Sequence, residues 1–299
     1  MDTEVLRWFQ QVADGQTVTE VSEIYRISQP SVSRGLARLE RELGTPLLRR
    51  SGRVLRLTHA GATFKRHLDS VVHALDDGVA AVTELLDPAT GTVRLSFQPS
   101  LGAWLIPDLV ASFRRTHPQV TFRLVRSDGT LGSSLVAEGE VDLELTSRRP
   151  RNPEVHARRL FSEPLVLAVP PGHPFAGRPE VWLREAAPEP FVVLAPERTL
   201  REQTDDLFGE AGLDPAIAFV ADDLPTVRGF VAAGQGCAVV PAMGAEPGRT
   251  ASDGVTLVPL ADAGARREIT LLWSVRRRLL PSAEAFRLHV LADAAPTPS

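Results

Sequence analysis

Apolar residues recur every three or four positions through the first 43 residues, and short polar breaks divide them into three segments. Val5, Leu6, Phe9, Val12 and Ala13 mark one helical face, which Gly15 ends, and a second helix is predicted from Val18 to Tyr25 after Thr17. The third helix carries Val32, Leu36, Leu39 and Leu43 on one stripe. Ser28 is its expected cap, and Pro30 sits in the first turn, where a missing N–H costs little. Only Arg26 and Ile27 separate the second and third helices, the tight spacing of a helix-turn-helix. The stretch 46–57 then alternates through Arg53-Val54-Leu55-Arg56-Leu57 and reads as a hairpin.

From His59 to Leu86 the pattern narrows. Phe64, Leu68, Val71, Leu75, Val79, Val82 and Leu86 form a seam like that of a coiled coil. A single helix cannot bury such a seam over this length, so a homodimer is favoured over cover from elsewhere in the chain. Asp87-Pro88-Ala89-Thr90-Gly91 reads as a linker. Beyond it, strands are predicted at 93–97, 120–125, 141–145, 165–169, 191–194, 217–220, 237–240, 255–258 and 269–273, alternating with helices at 103–116, 130–138, 200–211, 224–234 and 282–292. That alternation predicts an α/β fold with largely parallel sheets. Residues 293–299 are expected to be a disordered tail.

Composition narrows the class. With 43% hydrophobic and 23% charged residues, and no apolar run near the roughly 18 residues of a membrane span, a soluble globular protein of two or three domains is expected. Met1-Asp2-Thr3-Glu4 lacks the basic start and apolar stretch of a secretory signal, so the cytoplasm is the expected location. The single cysteine, Cys237, lies in an apolar run and reads as a small buried hydrophobe. The seven histidines show no close pair on one helical face, so neither a metal nor a cofactor is indicated. The net charge of -4 conceals a basic block: between Arg26 and Arg66 ten Lys and Arg stand against Glu40 and Glu42. Such a block suits a surface that meets phosphates.

On the third helix the apolar stripe lies opposite Pro30, Arg34 and Arg41, and Ala37 and Arg38 flank that outer face. Gln29, Ser31 and Ser33 stand at its N-terminal end. Amides and hydroxyls suit base edges, arginine suits guanine or phosphate, and a slim helix fits the major groove. Arg50, Arg53 and Arg56 in the ribbon are positioned to hold the flanking backbone. Against this stands an ordinary amphipathic surface helix.

Here the residues become specific. Ser28-Gln29-Pro30-Ser31-Val32-Ser33, then Leu39-Glu40, Leu43-Gly44, Leu47-Leu48-Arg49-Arg50 and Leu57-Thr58-His59-Ala60-Gly61, resemble the winged helix-turn-helix of LysR-type transcriptional regulators in order and spacing. The chain departs from that pattern at Val21-Ser22, where the family usually has two alanines, and at Leu48, where it has phenylalanine. Gly91 to Leu95, Leu105-Ile106-Pro107, Phe113 with Pro118, and Val231 to Gly236 with Pro241 are similar to the family's effector domain. The resemblance implies a DNA-binding domain at 1–58 with its helix-turn-helix at about 17–37, and a linker and dimerisation helix at 59–87. It implies a two-lobed, periplasmic-binding-protein-like α/β effector domain at 91–292, with lobe I at about 91–161 and 267–292 and lobe II at about 162–266. Double-stranded DNA, a small effector and a homodimer or homotetramer are the implied partners, and RNA polymerase is a further candidate.

In such a domain ligands bind at strand C-termini and helix N-termini. That places Ser100, Leu101, Gly102, Thr146, Ser147, Ala195, Pro196, Arg198, Thr199, Asp222 and Asp223 as candidate effector contacts, with helix capping the alternative for Ser100, Thr199 and Asp223. If two of Arg148, Arg149 and Arg198 face the cleft, an anionic or zwitterionic molecule is expected. No phosphate loop, nucleophile elbow or zinc-protease helix occurs, which argues against an enzyme. The competing reading is a transport-type binding protein or an enzyme whose basic helix is incidental.

Overall fold

Helices α1 (Thr3–Ala13), α2 (Val18–Ile24) and α3 (Gln29–Leu43) form where the apolar spacing places them. The computed structural model describes residues 2–51, 54–86, 90–127, 132–148, 150, 152–243 and 254–293. The chain divides into two compact units, one N-terminal and one beginning just after Leu86. In the first, Thr17 and Glu20 close a reciprocal capping box on α2, and Val5, Phe9, Val12, Val21, Val32, Leu36 and Leu39 share one buried core. A two-stranded ribbon follows, β1 (Leu48–Ser51) antiparallel to β2 (Val54–Leu57).

Polar bonds lock this small unit. Glu40 Oε1 accepts from the backbone N–H groups of Leu47 and Leu48 at 2.8 and 3.0 Å, tying α3 to the ribbon. Thr58 Oγ1 donates toward the Pro46 carbonyl and accepts from Gly61 N–H at 3.0 Å, so it opens α4 (His59–Leu86) against the preceding loop. Gly61 packs directly on that loop: a Cβ there would lie 2.0 Å from the Leu47 carbonyl oxygen.

The α4 seam divides. Phe64 and Leu68 join the N-terminal core together with Val72, a residue outside the predicted stripe. Lys65 bridges Asp14 and Asp69, and Gln10 donates to Asp69 at 2.8 Å. Further along, Val71, Leu75, Val79 and Val82 are exposed in the single chain.

The second unit contains β3 (Gly91–Phe97), a 3-10 turn (Pro99–Leu101), α5 (Leu105–Arg114), β4 (Val120–Arg126), α6 (Gly132–Glu138), β5 (Leu143–Thr146) and β6 (Val155–Val169). It continues through α7 (Leu183–Ala186), β7 (Phe191–Leu194), α8 (Thr199–Glu210), β8 (Ile217–Ala221) and α9 (Leu224–Ala232). It closes with β9 (Ala238–Pro241), β10 (Thr256–Pro259), β11 (Arg266–Ser274) and α10 (Pro281–Asp293). The sheet order is β10-β6-β11-β5-β3-β4, with β9 also on β6 and β7-β8 as a separate pair. No helix among the described residues is long and apolar enough to cross a membrane.

Two cores flank the crossing strands, one around Leu95, Phe113, Leu145 and Phe286, the other around Leu167, Phe191, Val231 and Val240. β6 runs from the first into the second and β11 returns, so the two pair antiparallel, and β9 and β10 also oppose β6. Among the strand pairs of the described residues, β3-β4, β3-β5 and β7-β8 are parallel and the rest antiparallel, which corrects the expectation of largely parallel sheets. The reason is topological, since a chain that leaves a lobe and comes back must run both ways.

Among the buried polar groups, Glu144 is an acid without a charged partner among the described residues. Glu144 on β5 lies in register beside Ser96, with Leu272 of β11 on its other side. Ser127 donates to its Oε1 at 3.1 Å, and its Oε2 has no hydrogen-bond partner among the described residues. Burial pushes its pKa up to about 7, and the Ser127 hydrogen bond acts in the opposite direction.

Candidate functional site

The outer face of α3 is polar because its inner face is fully used. With Val32, Leu36 and Leu39 buried, Gln29, Pro30, Ser33, Arg34, Ala37 and Arg38 are left exposed. Ser28 occupies the cap position without capping the backbone. Its hydroxyl instead meets the Ser31 hydroxyl at 2.8 Å, and Arg34 Nη2 donates to Ser31 Oγ at 3.3 Å. The Ser31 and Val32 N–H groups bond to the Ser28 carbonyl and Pro30 has no N–H, so within the first turn only Gln29 can present a backbone donor at the positive end of the helix. Further along, Arg38 pairs with Asp2 and Glu42, and Arg41 bonds back to the Ala37 carbonyl.

The ribbon adds charge beside this helix. Arg49 and Arg56 are register partners across β1-β2, and both are exposed, as is Arg50. Arg53 lies outside the described residues. The turn into α3 places Arg26 at a φ of 53°, a conformation uncommon for a residue with a side chain.

In the second unit a cavity of about 470 Å³ opens between the two cores. One wall holds Phe97 to Ser100, Gly102, Ala103 and Arg126, and the other holds Leu194, Arg198, Leu200, Asp222 to Pro225 and Met243. The walls are mainly apolar, with two arginines and two aspartates among them. Asp222 lies 3.9 Å from Arg198, while Asp223 accepts from Thr226 N–H at 2.8 Å and so caps α9, which holds its carboxyl below the usual carboxylate range.

Five of the eleven candidate effector residues line this cavity: Ser100, Gly102, Arg198, Asp222 and Asp223. The other six do not. Leu101 is buried in the first core, and Ala195 is buried with its N–H bonded to the Ala221 carbonyl, while Pro196 is exposed outside the lining. Thr146 is buried and accepts from Arg148 N–H. Ser147 and Thr199 border a separate polar cavity of about 400 Å³, where Ser147 is held by Gln98 and Gln203. Arg148 pairs with Glu202 there, and Arg149 lies outside the described residues.

Sequence reasoning missed the group that backs the cavity. Arg267 on β11 is buried against Glu163 on β6, with Nη2 at 2.6 Å from Oε2, and its Nη1 donates to Ser100 Oγ at 2.8 Å. Glu163 Oε1 accepts from Met243 N–H at 2.8 Å. Burial pulls the Arg267 pKa down and Glu163 opposes that pull. Only the chemical oddity of charged residues inside two apolar strands could have signalled the pair.

Comparison with known proteins agrees with both halves of the chain. Residues 3–62 match the family described as bacterial regulatory helix-turn-helix protein, lysR family, and residues 87–295 match the LysR substrate binding domain. An uncharacterized HTH-type transcriptional regulator of Bacillus subtilis (strain 168), YybE, is 35% identical over 294 residues, covering 98% of this chain and 99% of that protein. Full-length CbnR, solved in complex with its target DNA, superposes with a TM-score of 0.75 at 21% identity, covering 99% of this chain and 100% of that one. The effector binding domain of QuiR, solved with shikimate, gives a TM-score of 0.60 at 21% identity over 69% of this chain and 97% of that one. A helix-turn-helix match and a substrate-binding-domain match that together span nearly the whole sequence show that this chain belongs to the LysR family of DNA-binding transcriptional regulators.

Proposed function

We propose that the exposed N-terminal half of α3 reads duplex DNA in the major groove, with Gln29, Ser33 and Arg34 at base edges and Ser28, Pro30 and Ser31 shaping the approach. Arg38, Arg50, Arg53 and Arg56 meet phosphates. The observation that carries this reading is the division of α3: buried Val32, Leu36 and Leu39 fix the helix, and short hydrogen-bonding groups with Arg34 occupy the N-terminal half of the opposite face. CbnR, which shares the fold, is known bound to its target DNA. Residues 1–58 bind DNA, 59–87 join copies into a homodimer or homotetramer, and 91–292 bind effector, with lobe I at 91–161 and 267–292. The protein acts in the cytoplasm.

The effector occupies the 470 Å³ cavity. Its apolar walls suit a compact hydrocarbon or ring, and Arg126 and Arg198 on opposite walls suit an anionic group, in the size range of the shikimate held by QuiR. The site binds its ligand without turning it over: the nearest hydroxyl, Ser100 Oγ, accepts from Arg267, a cation that takes no proton from it.

In vitro selection from a random duplex library, followed by a salt titration on the selected site, tests the DNA reading. Affinity should fall steeply as salt rises. Arg34→Ala should reduce the preference for the selected site over random duplex by roughly 1–3 kcal/mol, about 5- to 150-fold, while Arg56→Ala weakens both alike. Absence of duplex binding at low salt by an intact dimer refutes the proposal.

A further inference from the structure

Outside the cavity, three segments of the second lobe bring unlike donors to one point. His173 follows β6, Glu189 precedes β7, and Cys237 precedes β9. One His nitrogen, one Glu oxygen and the Cys sulfur all lie within 4.8 Å of one another. His173 Nε2 is 3.7 Å from Glu189 Oε1. Cys237 is buried, and the other two are half-buried, so solvent reaches the cluster from the His and Glu side.

The backbone holds these groups together. Cys237 N–H donates to the Pro190 carbonyl at 2.8 Å, and Phe191 bridges to Cys237. Gly236 makes that approach possible: it has a φ of 146°, and a Cβ there would stand 2.4 Å from the Pro190 carbonyl oxygen. Phe175 N–H donates to His173 Nδ1 at 3.2 Å, which fixes the ring and leaves Nε2 facing Glu189.

We propose that His173, Glu189 and Cys237 form a binding site for a zinc-class divalent metal ion. The donor set decides the class: imidazole and thiolate suit zinc and its congeners, whereas calcium and magnesium take oxygen ligands. Tetrahedral zinc holds such donors about 3.3–3.6 Å apart, so binding requires side-chain movements of about 1 Å from the present positions. Three protein ligands leave one coordination position for water. Binding displaces the thiol proton to solvent and moves the imidazole proton from Nε2 to Nδ1. That transfer gives up the Phe175 hydrogen bond, a small loss beside the several coordinate bonds formed. Burial and the Glu189 charge push the thiol pKa up to about 12, so without a metal this cysteine is a protonated, unreactive thiol.

The test uses cadmium as probe on the full-length protein after chelator treatment. Cys237 is the sole cysteine in the chain, so any thiolate-to-cadmium charge-transfer absorption reports this residue alone. One equivalent should produce the band, zinc should compete it away, and Cys237→Ser should abolish it. His173→Gln and Glu189→Gln lie at more exposed positions and keep the fold, and each should weaken cadmium binding at least about tenfold. Absence of the band in the folded wild-type protein overturns the proposal, as does unchanged affinity in both the His173 and Glu189 variants.

Discussion

Replacing Glu144 by glutamine should make the effector domain more stable at neutral and alkaline pH and leave it unchanged in acid. The folded carboxyl titrates at about 7 against an ordinary value of 4.5, because it is buried on β5 with one oxygen lacking a partner among the described residues. Below pH 4.5 both folded and unfolded states hold the proton, and the group is neutral to stability. Between 4.5 and 7 the unfolded chain releases the proton while the folded one retains it, so stability falls as pH rises through this window. At about 1.4 kcal/mol per pH unit, the full penalty above pH 7 is on the order of 3 kcal/mol. Glutamine mimics the protonated acid and can still accept from Ser127, so the variant should escape the penalty. The assay is urea denaturation from about pH 4.5 to 8, followed by Trp104 and Trp273 fluorescence in a background with Trp8 and Trp182 replaced by phenylalanine. The two proteins should coincide in acid and separate by up to about 3 kcal/mol at pH 8. Parallel curves, or a gap that widens toward acid, refute the reasoning.

Arg267→Met should cost about 3–5 kcal/mol in the same denaturation assay, since it strands Glu163 in a buried site, and adding Glu163→Met should recover most of the loss. A loss below about 1 kcal/mol from the single change would show that the pair is not desolvated. Gly61→Ala should lower the melting temperature of the N-terminal unit by the equivalent of roughly 3 kcal/mol or more, because its Cβ meets a backbone carbonyl. Leu75→Asp on the exposed part of α4 should shift the protein toward monomer in sedimentation velocity at micromolar concentration, and an unchanged sedimentation coefficient would place the interface elsewhere.

The legible parts of the fold were those where one physical signal dominates. Helix α3 announced itself through four apolar residues at helical spacing and a proline in its first turn, and its exposed face was what that stripe left over. Strand β6 was harder. Its last five residues read as a strand, but residues 155–164 mix Val155, Leu160 and Phe161 with exposed His156, Arg158 and Arg159, and this half pairs with β11 alone among the described strands, so no clean alternation marks it. The α4 seam looked continuous in sequence, yet about its first four turns, through Val72, serve the small N-terminal core, a division marked by Gly61 and the Asp69 network. In the cleft, strand-end reasoning led to Ser100, Asp222 and Asp223. It could not separate residues facing the cavity from neighbours one position away, because a one-residue step on a strand or tight turn reverses direction. The metal-ligating cluster left no trace in spacing, as its donors are brought together by three loops far apart in sequence.

The buried pair also suggests how a ligand in the cavity could be felt beyond it. Ser100 and Met243 line the cavity, and both are hydrogen-bonded to the charged pair that joins the two crossing strands, Ser100 to Arg267 and Met243 to Glu163. A ligand that displaces either contact therefore acts on a desolvated ion pair, where a misplaced hydrogen bond costs far more than at the surface. Close-packed interiors respond to such a change by switching between discrete arrangements instead of deforming smoothly. The size of the response is bounded by the ligand's preference for one arrangement over the other, typically 1–3 kcal/mol or about 5- to 150-fold. An effector that competes for Ser100 or the Met243 segment gains additional leverage on the lobes through the charged pair. Regulation by this protein should accordingly follow the polar group of the effector more than its bulk.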